Sequence, residues 1–308
     1  MNVMSLLAGA LVLAGCSASS SATGSTAAVR DPVGSPSSSP TVSVVASTNV
    51  YGDLVSRIGG GHVSVVSFIN DPNADPHSYE ASPRNQLALA GAKLVIENGG
   101  GYDDFMDKML GATKAADRQV LNAVEISGHV APPGGETNRH VWYDFAGMDA
   151  LVDKITEALT KADAPDSADF KANADGMHQG LADLRKREDG IKAAHSGGAV
   201  AITEAVPLYL LEACGLKNMT PPEFSKAIED STDVPAAFLQ QVLDLVKNHQ
   251  VSELLYNSQT ANARTDQVRA AAAASGVVVV AVTETLPGGS DFLSWMNHNL
   301  TAVEAGLK

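Results

Sequence analysis

Two hydrophobic periods alternate along most of the chain. Some apolar residues form short, near-continuous runs of Val, Ile and Leu, and between those runs others recur every three or four positions. A continuous run suits a strand buried on both faces, whereas the longer period suits a helix that covers one face of a sheet. Thr41 to Ser47 predicts a strand, Val50 to Ile58 a helix, and His62 to Ile69 a second strand. Pro83 to Ala90 predicts a helix, Lys93 to Ile96 a buried strand, Asp103 to Leu110 a helix, and Gln119 to Val124 a short strand.

From Phe145 to Ala194 only the helical period is found. Pro165 divides this stretch into one helix and a long polar one over Asp166 to Ala194. The alternation then resumes with a strand at Ala199 to Ile202, a helix through Leu210, a helix from Pro235 to Asn248 and a strand at Leu254 to Tyr256. A helix from Thr265 to Ser275, a strand from Val277 to Val282 and a closing helix from Asp291 to Leu307 complete the pattern. The expected fold is α/β, with two lobes, each a mostly parallel sheet flanked by helices, joined by one long rigid helix. The expected boundaries are 41–165 for the N-terminal lobe, 166–196 for the linking helix and 197–308 for the C-terminal lobe, each lobe with its own core.

The leader follows neither period. Leu6 to Gly15 is an apolar run closing on Leu13-Ala14-Gly15-Cys16, too short to cross a bilayer as a mature helix. Residues 1–15 resemble a lipoprotein signal peptide, although no Lys or Arg precedes the run; Cys16 would then be acylated and become the first mature residue. Residues 16–40 are dominated by Ser, Ala, Thr, Gly and Pro, which leave little to bury and predict a flexible tether. The expectation is a monomer on the extracytoplasmic side of the cell membrane, anchored through lipid on Cys16.

A formal net charge of −14 changes the picture by excluding nucleic acid and anionic lipid as favoured partners and by favouring cations. The cysteines are Cys16 and Cys214, and no CxxC occurs, so any metal must be held by nitrogen and oxygen. Cys214 lies in an apolar run and reads as a buried, inert thiol.

Ligands of open α/β sheets bind outside the carboxyl ends of the strands, so His, Asp and Glu just after predicted strands are the candidates. Four positions qualify. His77 follows the strand ending at Ile69, on a loop stiffened by Pro72 and Pro76. His140 lies beside Trp142 and Tyr143, which could wall off water. Glu204 follows Ala201-Ile202-Thr203, and Glu284 follows Val280-Ala281-Val282-Thr283. Gly99-Gly100-Gly101 lacks the spacing of a phosphate-binding loop and reads as a flexible turn near the cleft. Tyr79, Glu80 and Asp144 are candidates for fixing the loops, and the other histidines read as surface or core residues.

Taken together, Asp75-Pro76-His77-Ser78-Tyr79-Glu80, His140-Val141-Trp142-Tyr143-Asp144, Thr203-Glu204 before Leu208-Tyr209, and Thr283-Glu284-Thr285 resemble the ligand motifs of zinc/manganese ABC transporter substrate-binding lipoproteins. The resemblance runs in order from Thr41 to Leu307. It implies one ion, Zn2+ or Mn2+, held by His77, His140, Glu204 and Glu284 and delivered to an ABC transporter permease. Glu204 leans towards manganese members and Glu284 towards some zinc binders, so the metal stays open. Tyr143 and Phe145 replace the Leu and Pro usual in the second motif. The alternative is a metal-dependent hydrolase with three protein ligands and a carboxylate base; no HExxH is present to favour it.

Overall fold

The computed structural model describes residues 42–131 and 136–307. The signal-like run, Cys16 and the tether lie outside the described residues. The chain begins with β1 (Val42–Thr48), α1 (Asn49–Gly59), β2 (Val63–Ile69), α2 (Pro83–Gly91), β3 (Leu94–Glu97), α3 (Asp104–Ala112), β4 (Gln119–Asn122) and α4 (Ala123–Ser127). The helices α5 (Phe145–Ala162) and α6 (Ser167–His195) follow. The second alternation comprises β5 (Ala199–Ile202), α7 (Leu208–Ala213), β6 (Lys217–Asn218), α8 (Pro222–Glu229), α9 (Ala236–Lys247), β7 (Glu253–Asn257), α10 (Ala263–Ser275), β8 (Val278–Val282) and α11 (Phe292–Gly306).

Both sheets are parallel. The first has the order β2-β1-β3-β4 and the second β6-β5-β7-β8. In each, the connections reverse direction beside a central strand, which opens a crevice at the carboxyl ends of β1 and β3 in one lobe and of β5 and β7 in the other. The central strands β3 and β7 are buried along their whole length, which is why their sequences are unbroken apolar runs with polar ends.

The 29 residues of α6 span about 43 Å. Its buried positions are Phe170, Ala174, Met177, Leu181, Leu184, Glu188 and Ile191, alternating four and three apart, so one narrow stripe faces inward along an otherwise polar helix. That stripe corrects one expectation. Rather than each lobe having a core of its own, a single apolar cluster runs from Val44 and Leu94 in the first sheet, through Phe170 and Leu181 of α6, to Ile202, Leu255 and Phe292 in the second. Smaller clusters lie on the outer face of each sheet, around Met106 and around Val242. A core continuous across the junction resists large lobe rotation, because packed interiors do not deform without loss of contacts.

Other differences are local. β4 ends at Asn122 rather than Val124 because the Asn122 side chain accepts from the Glu125 backbone amide at 3.1 Å and starts α4. His62 belongs to a short 3-10 turn, and β2 starts at Val63. Thr203 to Pro207 is a turn, and the helix there begins only at Leu208. β6 and α8 were not foreseen. Two residues cannot show a period, and Pro221-Pro222 reads as a breaker although Pro222 occupies the first helical turn, where proline fits. Among the described residues no helix is long and apolar enough to cross a membrane.

Candidate metal centre

The crevices of the two sheets face each other, and the side chains that meet there come from loops after β2, β5 and β8 and from the segment between α4 and α5. His77 sits in a one-turn 3-10 segment whose start is capped by Asp75, which accepts from the His77 backbone amide at 2.8 Å. His140 precedes a similar turn, Val141–Tyr143, whose residues are all buried. Glu284 lies two residues beyond β8. One donor atom of each of His77, His140 and Glu284 lies within 4.8 Å of the others. Oε2 of Glu284 is 3.3 Å from His77 Nε2 and 3.5 Å from His140 Nε2. Two donors bonded tetrahedrally to one zinc-sized ion would stand about 3.4 Å apart. None of these three atoms makes a well-formed hydrogen bond, though each is buried. Polar atoms in that condition are costly in a finished core and characteristic of a site built for a ligand.

Glu204 stands outside that trio. It is 1 % exposed, and its Oε2 accepts from Thr260 Oγ1 and Asn257 Nδ2, leaving Oε1 buried without a partner. The Asn257 amide nitrogen also donates to Glu284 Oε1 at 2.8 Å, so one NH2 group bridges both carboxylates. The register explains this: Asn257 ends β7, the strand between β5 and β8, whose ends carry Glu204 and Glu284. Gln259 fixes the Glu284 loop, its Oε1 accepting from the Glu284 and Thr285 amides at 2.6 and 3.2 Å. Its Nε2 reaches the carbonyl of Ala74 in the first lobe at 2.9 Å.

Tyr102 supplies the apolar wall between the imidazoles, edge-on to His77, His140 and Trp142 with ring centroids 5.5, 6.1 and 5.1 Å away. The three glycines before it all have positive φ, and a Cβ on Gly99 would collide with the Asn122 side chain. That tight turn, fixed by Asp103 accepting from the Asn98 and Gly99 amides at 2.6 and 2.8 Å, aims Tyr102 inward. Trp142 is fully buried against His140, and Tyr143 donates to the Thr283 carbonyl at 2.9 Å, tying the two lobes together. Asp144 caps α5 through the Ala146 and Gly147 amides and holds His129 at 2.8 Å. Tyr79 packs on Phe105, 4.7 Å between centroids, and Glu80 is exposed.

A further carboxylate, Glu229 at the end of α8, reaches the edge of the group. Its Oε1 lies 3.8 Å from His140 Nε2 and 3.4 Å from Arg139 Nε. The sequence offered no signal for it beyond an acidic residue in an unrecognised helix, nor for Asn257, whose part depends on which strands are neighbours.

The electrostatics are mutual. Burial favours neutral His77, but the close contact with the Glu284 carboxylate, with Glu229 and Asp75 nearby, outweighs it and lifts the imidazole to about 9. His140 is likewise raised by Glu229 and Glu284 against its burial. Burial opposes ionisation of Glu284, yet the two imidazoles hold it well below the usual carboxylate range. Glu204 is pushed up to about 7 by burial and by Glu284, in spite of the Thr260 and Asn257 hydrogen bonds. The whole arrangement is a buried socket with nitrogen and oxygen donors, suited to one divalent transition-metal ion. A second His and carboxylate group among the described residues, His62 with Asp166 and Asp169, has its two ring nitrogens engaged by different carboxylates at 2.8 and 3.2 Å, the pattern of an ion pair across the start of α6.

Comparison with known proteins identifies the family. Residues 44–306 match the family described as zinc-uptake complex component A, periplasmic. The manganese-binding lipoprotein MntA of Halalkalibacterium halodurans is 26% identical over 255 residues, covering 76% of this chain and 79% of the relative. Among solved structures, the periplasmic zinc-binding protein TroA from Treponema pallidum superposes with a TM-score of 0.71 at 20% identity, covering 87% of this chain and 99% of that one. The Cd-bound periplasmic metal-binding protein from Candidatus Liberibacter asiaticus gives 0.70 at 17% identity, covering 87% and 100%.

Proposed function

Because the chain belongs to the family of periplasmic zinc-uptake component A proteins, which bind metal for transport and are not enzymes, we propose that it is the substrate-binding component of an ABC importer that captures one Zn2+ or Mn2+ ion and hands it to a membrane permease. His77, His140, Glu204 and Glu284 are its ligands. The observation that carries this reading is the trio of buried, unpartnered donor atoms on His77, His140 and Glu284 at the spacing of a shared ion. Glu204 completes the sphere through its free Oε1, closing on the trio from beside Glu284, to which Asn257 ties it.

A sphere filled by four protein groups has no open position for an activated water, which suits storage and transfer of the ion rather than hydrolysis. Imidazole and carboxylate donors accept both metals. Intrinsic affinity favours zinc, while extra carboxylate oxygens favour the higher coordination number of manganese. The manganese-binding lipoprotein and the zinc-binding protein among the relatives support both possibilities equally. Anchoring through lipid on Cys16, with residues 16–40 as a leash, would keep the protein near the permease while leaving it free to turn.

Metal analysis of protein purified from its native host, paired with calorimetric titration of His77→Ala and Glu204→Ala, tests the reading. One equivalent of zinc or manganese, with tight binding lost in both variants, is expected. Unchanged affinity in the variants would refute the ligand assignment.

A further inference from the structure

We propose that Glu229 is the ingress ligand of the ion, an outer carboxylate that passes the cation to His140 and is neutralised by Arg139 between passages. This rests on the reading of the His77, His140 and Glu284 cluster as the ion's seat. A cavity of about 590 Å3 lies between the segment Glu136–Arg139 of the first lobe and α8 of the second. Glu229 lines it, and its carboxylate also touches the seat, 3.8 Å from His140 Nε2. The side chain is only 11% exposed, so it faces this passage rather than bulk water.

A divalent ion moving from water into an almost wholly buried site must shed its hydration shell in steps, and a carboxylate 3.8 Å from a nitrogen of the seat lowers the cost of the first. Left alone, that carboxylate would be a buried uncompensated charge. Arg139 compensates it at 3.4 Å, and its own guanidinium is braced by the Gly101 carbonyl at 3.1 Å. Arg139 adjoins His140 in sequence, and Glu136 in the same segment is bridged to Lys226 of α8 at 3.0 Å. The two crosslinks hold the walls of the passage together, the inner one aimed at the seat and the outer one in solvent, where it contributes little. A cation arriving at Glu229 competes directly with Arg139. The pair therefore acts as a swinging countercharge: bonded when the passage is idle, parted while an ion crosses.

Stopped-flow mixing of the full chain with Zn2+ alone, with dissociation followed by transfer to a fluorescent chelator, tests the assignment. Glu229→Gln is expected to slow both association and dissociation by about tenfold, leaving the equilibrium affinity within about threefold. Arg139→Gln is expected to speed association, since the ion no longer has to displace a resident cation. Rates for Glu229→Gln that match the parent would overturn the proposal. So would a loss of affinity arising from dissociation alone, which would make Glu229 a ligand of the seated ion instead. His140→Ala separates the two readings: if it binds Zn2+ as the parent does, the seat itself is misassigned, whereas loss of binding there with normal rates in Glu229→Gln removes only the ingress role.

Discussion

Oδ1 of Asn138 lies 2.8 Å from Nδ1 of His140 and also accepts from the His140 backbone amide at 3.2 Å. The Asn138 amide nitrogen meanwhile donates to the Ala205 carbonyl at 3.0 Å, which fixes which end of the amide is oxygen. A proton is thus held on Nδ1, and Nε2 is directed at Glu284 as the metal-binding nitrogen. Partners of this kind typically contribute tenfold to hundredfold in affinity. Asn138→Ala is expected to weaken zinc binding by roughly that factor in a chelator competition assay, with the fold retained by circular dichroism. Affinity within about twofold of the parent would show that the ring is oriented by other means.

Asn257 is the second amide on which the site depends. Its NH2 group is shared between two buried carboxylates, Glu204 and Glu284. Asn257→Leu is expected to destabilise the metal-free protein by about 1–3 kcal/mol in urea denaturation, the usual consequence of leaving a buried acceptor without its donor. Saturating metal should restore most of the loss, because the bound cation compensates the two carboxylates that the amide otherwise holds by hydrogen bonds. An equal loss with and without metal would locate the damage in strand packing instead.

Far from the cleft, Glu253 gives a pH signature. It starts β7, is fully buried, and neither carboxylate oxygen has a partner. Burial lifts it from 4.5 to about 8. The folded chain therefore holds this proton more tightly than the unfolded chain does, so the contribution of Glu253 to stability is fully present below about pH 4.5 and is lost as pH rises towards 8. Glu188, in the buried stripe of α6, is also lifted to about 8 and acts in the same direction. Glu253→Gln should flatten the fall in thermal midpoint between pH 5 and pH 8.5, a difference on the order of a few kcal/mol at the alkaline end. Parallel melting curves for parent and variant would rule out an ionising Glu253.

Much of the fold was legible because buried parallel strands and one-sided helices write different periods, and both lobes repeat the same alternation. What escaped was either too short for a period, as with β6, or disguised, as with α8 behind Pro221-Pro222. At the site, His77, His140, Glu204 and Glu284 stood out because each belongs to a recognisable motif, and three of them follow strands, whereas His140 lies between α4 and α5. The structure brings three of these together and keeps Glu204 slightly apart, engaged by Asn257 and Thr260. Asn138, Asn257 and Glu229 could not be read in advance. Their parts depend on which strands are neighbours and on how the two lobes meet, and an isolated Asn or Glu carries no trace of either.

The decisive measurement is anomalous diffraction from crystals grown with zinc and, separately, with manganese, recorded at each metal's absorption edge. One peak in the cleft is expected with either metal. In the zinc crystals it should lie about 2.0–2.2 Å from Nε2 of His77 and of His140 and from an oxygen of Glu204 and of Glu284. A peak bound elsewhere, or one in the cleft that leaves either histidine uncoordinated, would contradict the assignment.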